Sequence, residues 1–120
     1  VFFIFSNEPK WVKGWVISLM KSQIKEGMTK EDIKNLERRF VLMEANSQHT
    51  GYLDMFLMSK CKHNIISNSS FSWWAAWIND NPKRLICAPG KWVNGEECED
   101  IYIKGMVLVN EKGKVERTVK

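Results

Sequence analysis

The apolar residues of this chain fall into short continuous runs and longer stretches with helical spacing, in alternation. Val1 to Phe5 is uninterruptedly apolar, the pattern of a central parallel strand covered on both faces. Ser6-Asn7-Glu8-Pro9 breaks it, with Asn7 placed to cap a helix and Pro9 suited to its first turn. From Lys10 to Lys25, Trp11, Trp15, Val16, Leu19 and Met20 recur every three to four residues, so one helix face should pack on a sheet; Gly27 ends it. Thr29-Lys30-Glu31-Asp32 reads as the capping signal of a short charged helix reaching about Arg38. Phe40 to Met43 is a second strand candidate, and the polar stretch 46–51 a loop.

The second half repeats the alternation. A helix starts near Tyr52, with Leu53, Phe56, Leu57 and Cys61 in period. Asn64-Ile65-Ile66 is a short third strand, followed by the polar turn Ser67-Asn68-Ser69-Ser70. Phe71 to Ile78 is apolar nearly all round, as expected of a helix buried on most sides. Leu85 to Ala88 is a fourth strand, closed by Pro89-Gly90. The order β-α-α-β-α-β-α-β implies right-handed crossovers and an α/β fold, a mostly parallel sheet with helices on both faces. Residues 101–110 and 114–119 flank Glu111-Lys112-Gly113 and suggest a hairpin in a C-terminal extension, 93–120, beyond the main domain at 1–92.

Composition narrows the class. With 120 residues, 44% hydrophobic and 27% charged, the chain is one ordinary globular domain or a piece of a larger one. A strand at the first residue, with no lead-in, favours the piece. No apolar run approaches the ~18 residues that span a bilayer. The net charge of +4 is spread evenly, with nine basic and seven acidic residues in each 60-residue half. That is not the basic stripe of a duplex-binding protein, and it fits a small anionic ligand or an anionic membrane surface. Three cysteines without regular spacing are no disulfide framework, and a reducing compartment suits them. Cys61 and His63 match no common zinc spacing, and Cys61 reads as a small buried apolar residue.

Two polar turns fall where open α/β sheets bind ligands, at the carboxyl ends of strands. The stronger is Ser67 to Ser70. A helix N-terminus offers free N–H groups and positive dipole potential, so this turn suits a phosphate; simple N-capping by Ser69 or Ser70 is the alternative. The other is Ser6 to Pro9, whose physical reading is a helix cap. Asp54, near the start of a helix, is placed either to favour the dipole or to accept paired hydrogen bonds from a guanine edge. The tryptophans at 73, 74 and 77 read as core, leaving Trp92 as the exposed one. His63 is either a base or, more in keeping with its place before a buried strand, a structural residue. The chain contains no G-x-S-x-G and no G-x-x-x-x-G-K-[ST].

The 26 residues from Tyr52 to Trp77 are similar to the hallmark block of the α-1,2-fucosyltransferases. They contain Met58-Ser59, Cys61-Lys62-His63-Asn64-Ile65-Ile66, Asn68-Ser69-Ser70-Phe71-Ser72-Trp73-Trp74 and Ala76-Trp77 in the family's order. Phe3-Ile4-Phe5-Ser6-Asn7 through Trp11-Val12, and Leu85 through Trp92 with Ala88-Pro89, resemble flanking family segments. The resemblance implies the Rossmann-like C-terminal half of a GT-B glycosyltransferase. Its implied reaction is inverting, metal-independent transfer of fucose from GDP-fucose, the donor substrate, to a galactose-containing glycan; no cofactor is implied. Related fucosyltransferases share an Asp followed sixteen positions later by a Ser, here Asp54 and Ser70. By that correspondence Asp54 accepts from guanine and Ser70 holds the β-phosphate, with Asn68 and Ser69 completing the cradle and Ser6 and Asn7 lying in the other family segment. Asn7-Glu8 replaces an acidic pair, Ser67 an Ala, and Ala75 a Gly. The resemblance identifies no catalytic base.

The family's H-x-R-x-G-D-Y segment, whose Arg is expected to neutralise the diphosphate, does not occur here. It is expected before Val1, and the 120 residues alone are expected to be inactive or nearly so. A bacterial, cytoplasmic protein with peripheral membrane association fits the absence of an anchor. Two other classes compete: a non-catalytic nucleotide- or sugar-binding α/β module, and a single-stranded nucleic-acid binder using basic and aromatic residues.

Overall fold

A computed structural model describes residues 1–44 and 48–120. It divides into two compact units, Val1–His49 and Thr50–Lys120. The boundary therefore does not fall at residue 92, and residues 93–120 are no appendage: they supply strands to the second unit's sheet.

The first unit holds β1 (Phe2–Phe5), α1 (Pro9–Gln23), α2 (Lys30–Glu37) and β2 (Phe40–Met43). β1 and β2 pair in parallel, Phe2 opposite Phe40 and Phe5 opposite Met43, and the Phe2 and Phe40 rings stack at 5.6 Å. The local signals work as expected. Thr29 and Asp32 form a reciprocal capping box: the Asp32 N–H donates to Thr29 Oγ1 at 3.1 Å, and the Thr29 N–H donates to Asp32 Oδ2 at 2.8 Å. The Thr29 hydroxyl, donating to Asp32 Oδ2 at 2.7 Å, and next the Thr29 N–H hold the Asp32 carboxyl below its usual range. Gly27 adopts a left-handed φ of 89° after α1, a conformation that favours glycine. One expectation fails. β1 is not a central strand covered on both faces, because within this unit it pairs with β2 alone and Phe2 and Phe3 stay exposed. The α1 cap also shifts: Glu8, not Asn7, is the capping residue.

The second unit holds α3 (Gly51–Ser59), β3 (Asn64–Ile65), α4 (Ser70–Trp77), β4 (Ile86–Pro89), β5 (Val107–Val109) and β6 (Val115–Thr118). A single 3-10 turn, Gln48–Thr50, leads into α3. The stretch 46–51 read as a loop begins with residues 46 and 47, which lie outside the described residues. The sheet order is β3-β4-β5-β6, parallel across the first three strands and antiparallel between β5 and β6. Among the described residues the strands thus form two sheets rather than one, α/β in character with parallel pairing in both.

The core lies between α4 and this second sheet. Ile66, Ala76, Ile86, Ala88, Met106 and Leu108 are buried together, and Trp73, Trp92 and Tyr102 pack on them. α4 is not buried on most sides. Its small residues Ala75 and Ala76 face inward, and Trp74 and Trp77 are each 50% exposed. Trp73 anchors the helix through Nε1, which donates to the Ile101 carbonyl at 2.7 Å. Trp92, expected outside, is half-buried against the core. The aromatic count is thus split between core and surface by backbone geometry: close packing of a helix on a sheet selects small residues at the contact.

An asparagine network closes the end of the sheet opposite the Ser67–Ser70 turn. Asn64 Nδ2 donates to Met58 O at 2.8 Å, and Asn79 Nδ2 donates to Asn64 Oδ1 at 2.7 Å and to Cys61 O at 2.8 Å. Both asparagines are buried, so each pairing offsets a desolvation cost. His63 Nδ1 accepts from the Leu85 N–H at 3.1 Å, which is the structural role weighed for it above.

Candidate functional site

The parallel strands β3, β4 and β5 run out at one edge of the second unit, and a cleft of about 610 Å³ lies there. Ile66, Ser67 and Asn68 line it after β3, Pro89 and Lys91 at the end of β4, and Val109 and Asn110 at the end of β5. Its volume lies within the ~300–1,000 Å³ of small-molecule sites, and its position obeys the rule for open α/β sheets.

Of the Ser67–Ser70 turn, Ser67 and Asn68 line the cleft, whereas Ser69, Ser70 and Asp54 lie outside its lining. Ser69 takes the N-cap position of α4 with extended backbone (φ −130°, ψ 132°), and its side chain makes no capping bond. Simple side-chain capping, the alternative reading, is therefore not what Ser69 does. The turn is braced from within the helix instead. Ser72 Oγ reaches back to the carbonyls of Ser69 at 3.1 Å and Ser67 at 3.2 Å. That leaves the first turn of α4, with Ser70 as its first residue, holding N–H groups that Ser69 does not satisfy.

Asn68 lines the cleft and also makes a bond across to the segment after β4. Its Nδ2 donates to the Trp92 carbonyl at 3.2 Å. The side chain thereby ties the turn to the segment after β4 that carries Lys91.

Asp54 lies in the first turn of α3 and is half-buried. α3 and α4 pack together, and Gly51 sits so close to α4 that a Cβ there would touch the Phe71 ring at 3.8 Å. Asp54 and Ser70 are thus in the first turns of two adjoining helices of one unit. Ser6 and Asn7 belong to the other unit. Ser6 Oγ accepts from the Glu8 N–H at 3.0 Å, a local helix-entry bond, and Asn7 is exposed.

The thiols have no part in the cleft. Burial pushes the Cys61 and Cys87 thiols up, so both remain protonated near neutrality. Tyr102 is also raised, by burial first and the nearby Glu99 second, and its hydroxyl donates to Pro89 O at 3.0 Å.

The rest of the cleft's lining went unrecognised in the sequence. Glu111, Lys112 and Glu116 come from the β5–β6 hairpin, and Asn94 from the loop after β4. The turn signal Asn110 to Gly113 marks a hairpin, but nothing local says that it folds over strand ends rather than away from them.

Fold and site together define an α/β unit with a cleft at the carboxyl ends of its parallel strands. Comparison with known proteins is more specific: residues 1–110 match the profile of glycosyl transferase family 11, and the chain belongs to that family. It is 33% identical over 95 residues to the O-antigen biosynthesis glycosyltransferase WbnK of Escherichia coli, covering 79% of this chain and 26% of that protein. It is 37% identical over 97 residues to an alpha-1,2-colitosyltransferase of Escherichia coli, covering 81% of this chain and 28% of that protein. The chain thus spans about a quarter of the length of these curated relatives. No solved structure matches it significantly. Among the described residues no helix is long and apolar enough to cross a membrane.

Proposed function

We propose that this chain is the donor-binding portion of a fucosyltransferase in glycosyl transferase family 11. In this reading it is part of the Rossmann-like C-terminal half of a GT-B enzyme. The enzyme transfers fucose from GDP-fucose to a galactose-containing glycan in α-1,2 linkage, with inversion and without a metal. The observation that carries the reading is the cleft at the ends of β3, β4 and β5, lined by Ser67 and Asn68 of the turn that leads directly into α4.

The roles follow from chemistry. Ser70 and the first N–H groups of α4 hold the β-phosphate, where the helix dipole favours negative charge. Ser69 adds a hydroxyl donor. Asn68 serves by fixing the turn to the Lys91 segment. Asp54 accepts from the guanine edge, whose N1–H and amine are paired donors. Ser6 and Asn7 contribute in the assembled enzyme. The chain contains no His-x-Arg, so the Arg that the family resemblance places at the leaving diphosphate is not its own, and by itself it transfers fucose slowly or not at all. The protein works in the bacterial cytoplasm, in peripheral contact with an anionic membrane where its acceptor glycan is built.

Calorimetry with GDP, GMP, free fucose and an oligonucleotide tests this. GDP should bind best, and Ser70→Ala and Asp54→Ala should each weaken it about tenfold or more. Equal binding of the oligonucleotide and GDP, or full GDP affinity in both variants, would overturn the reading. A second donor deserves a place in the same series, because one relative carries colitose in its name. Tighter binding of a nucleotide-activated colitose than of GDP-fucose would reassign the sugar and leave the cleft in place.

A further inference from the structure

The β5–β6 hairpin is a wall of the cleft, and its charges are not consumed by the fold. Among the described residues the ion pairs are Glu31–Arg38, Lys60–Asp80 and Glu99–Arg117. Lys91 and Lys112, the two cations lining the cleft, belong to none of them, and neither do its carboxylates Glu111 and Glu116. Four charges thus share one cleft without neutralising each other in pairs.

Both lysines sit on held backbone. The turn carrying Lys112 is organised by Asn110, whose Oδ1 accepts from the N–H groups of Lys112 and Lys114, each at 3.0 Å. Gly113 completes it with a left-handed φ of 72°. The Gly113 N–H donates to Asn110 O and the Asn110 N–H to Lys114 O, both at 2.9 Å. Lys91 follows Gly90, whose N–H donates to Val109 O at 2.8 Å, and precedes Trp92, whose carbonyl takes the Asn68 amide at 3.2 Å. Gly90 also lets the hairpin approach: a Cβ there would overlap the Glu116 carboxylate. Fixed backbone lowers the ordering cost of using the side chains it carries.

We propose that Lys91 and Lys112 bind the diphosphate of a nucleotide sugar in the cleft that Ser67 and Asn68 also line, which makes the β5–β6 hairpin part of the donor site. This rests on the donor-binding function proposed above. The charge pattern favours that ligand class over a plain polyanion. Two lysines beside two carboxylates give a cleft lining of no net charge. A ligand with an anionic centre and hydroxyl or amine donors at its ends uses both signs, whereas a nucleic-acid backbone uses only the cations.

The test measures binding of GDP, GMP and ADP to the full chain by calorimetry, for the wild type and for Lys91→Gln, Lys112→Gln and the pair. Both lysines are exposed, so thermal unfolding should confirm that the variants fold as the wild type does. Each single change should weaken GDP about tenfold. In the double variant the preference for GDP over GMP should collapse, and Lys→Arg at both sites should restore most of it. Unchanged GDP affinity in the double variant, with Ser70→Ala still weakening it, would overturn the hairpin's role and leave the donor reading standing. Equal loss of GDP and ADP, from equal wild-type affinities, would support the lysines and remove the guanine assignment. A folded wild-type chain that binds none of the three would overturn both.

Discussion

The two units of this chain use apolar residues in opposite ways. In Val1–His49, Trp11 is 68% exposed, and Val12, Val16 and Leu36 are its buried hydrophobic side chains. In Thr50–Lys120, Met106 and Leu108 have no exposed surface, and six residues form one buried cluster. Both units are rich in apolar residues and both contain parallel strands. What differs is the sheet. A two-stranded sheet offers too little surface to bury what packs on it, whereas four strands with α4 on one face enclose a core. The ligand cleft belongs to the unit that has that core, as a site holding a ligand in fixed geometry requires.

The difference can be broken at the core. Leu108→Ala should destabilise the second unit by about 2–5 kcal/mol, the range for truncating a fully buried Leu, whereas Trp11→Ala should stay within about 0.5 kcal/mol. Denaturant unfolding of both variants measures the gap, and equal losses would mean that the first unit's tryptophan is covered in solution.

A smaller effect is expected from the asparagine network. Asn79→Ala leaves Asn64 Oδ1 and the Cys61 carbonyl without their donor and should cost about 1–3 kcal/mol. If the network also sets the Ser67–Ser70 turn through β3 and α4, GDP affinity will fall with it. Loss of stability with full affinity would confine the asparagines to the scaffold.

The smallest effect sharpens the contrast from the other side, because the first unit's ordering is local. Thr29→Ala should cost α2 about 1 kcal/mol and spare the second unit. The same box predicts a pH response. Asp32 is held below its usual value in the folded state, so its contribution is complete above about pH 4 and is lost as the pH falls through that lowered value. Helix content followed by circular dichroism from pH 6 to 2 should show this loss in the wild type and a smaller one in Thr29→Ala, which removes the hydroxyl donor to Asp32 and keeps the backbone one.

Local signals proved reliable for local structure. The capping residues Thr29 and Asp32, the punctuation at Pro89-Gly90, and the apolar run Phe40–Met43 mark element ends to within a residue or two, whereas α1 stops at Gln23, four residues before Gly27. Each is decided by neighbours a few positions away. The tryptophan helix shows where such reasoning stops. Its pattern is apolar all round, and whether Trp74 faces protein or water depends on which side of α4 the sheet occupies, which short-range pattern does not encode. Asn68 makes the same point at the site: its position in a polar turn suggests a ligand contact, and its amide is engaged by Trp92, 24 residues later.

The sequence by itself determined the alternation of strands and helices, the polar turn before α4, and, through the block from Tyr52 to Trp77, the family. These depend on residue type and short spacing, which the chain carries in one dimension. The tertiary structure alone decided that β1 is thinly covered, that the strands form two sheets, and that the last hairpin brings Lys112 to the same cleft as Lys91. Those outcomes depend on which distant surfaces meet, because burial and charge proximity are properties of packed neighbours rather than of the residues themselves.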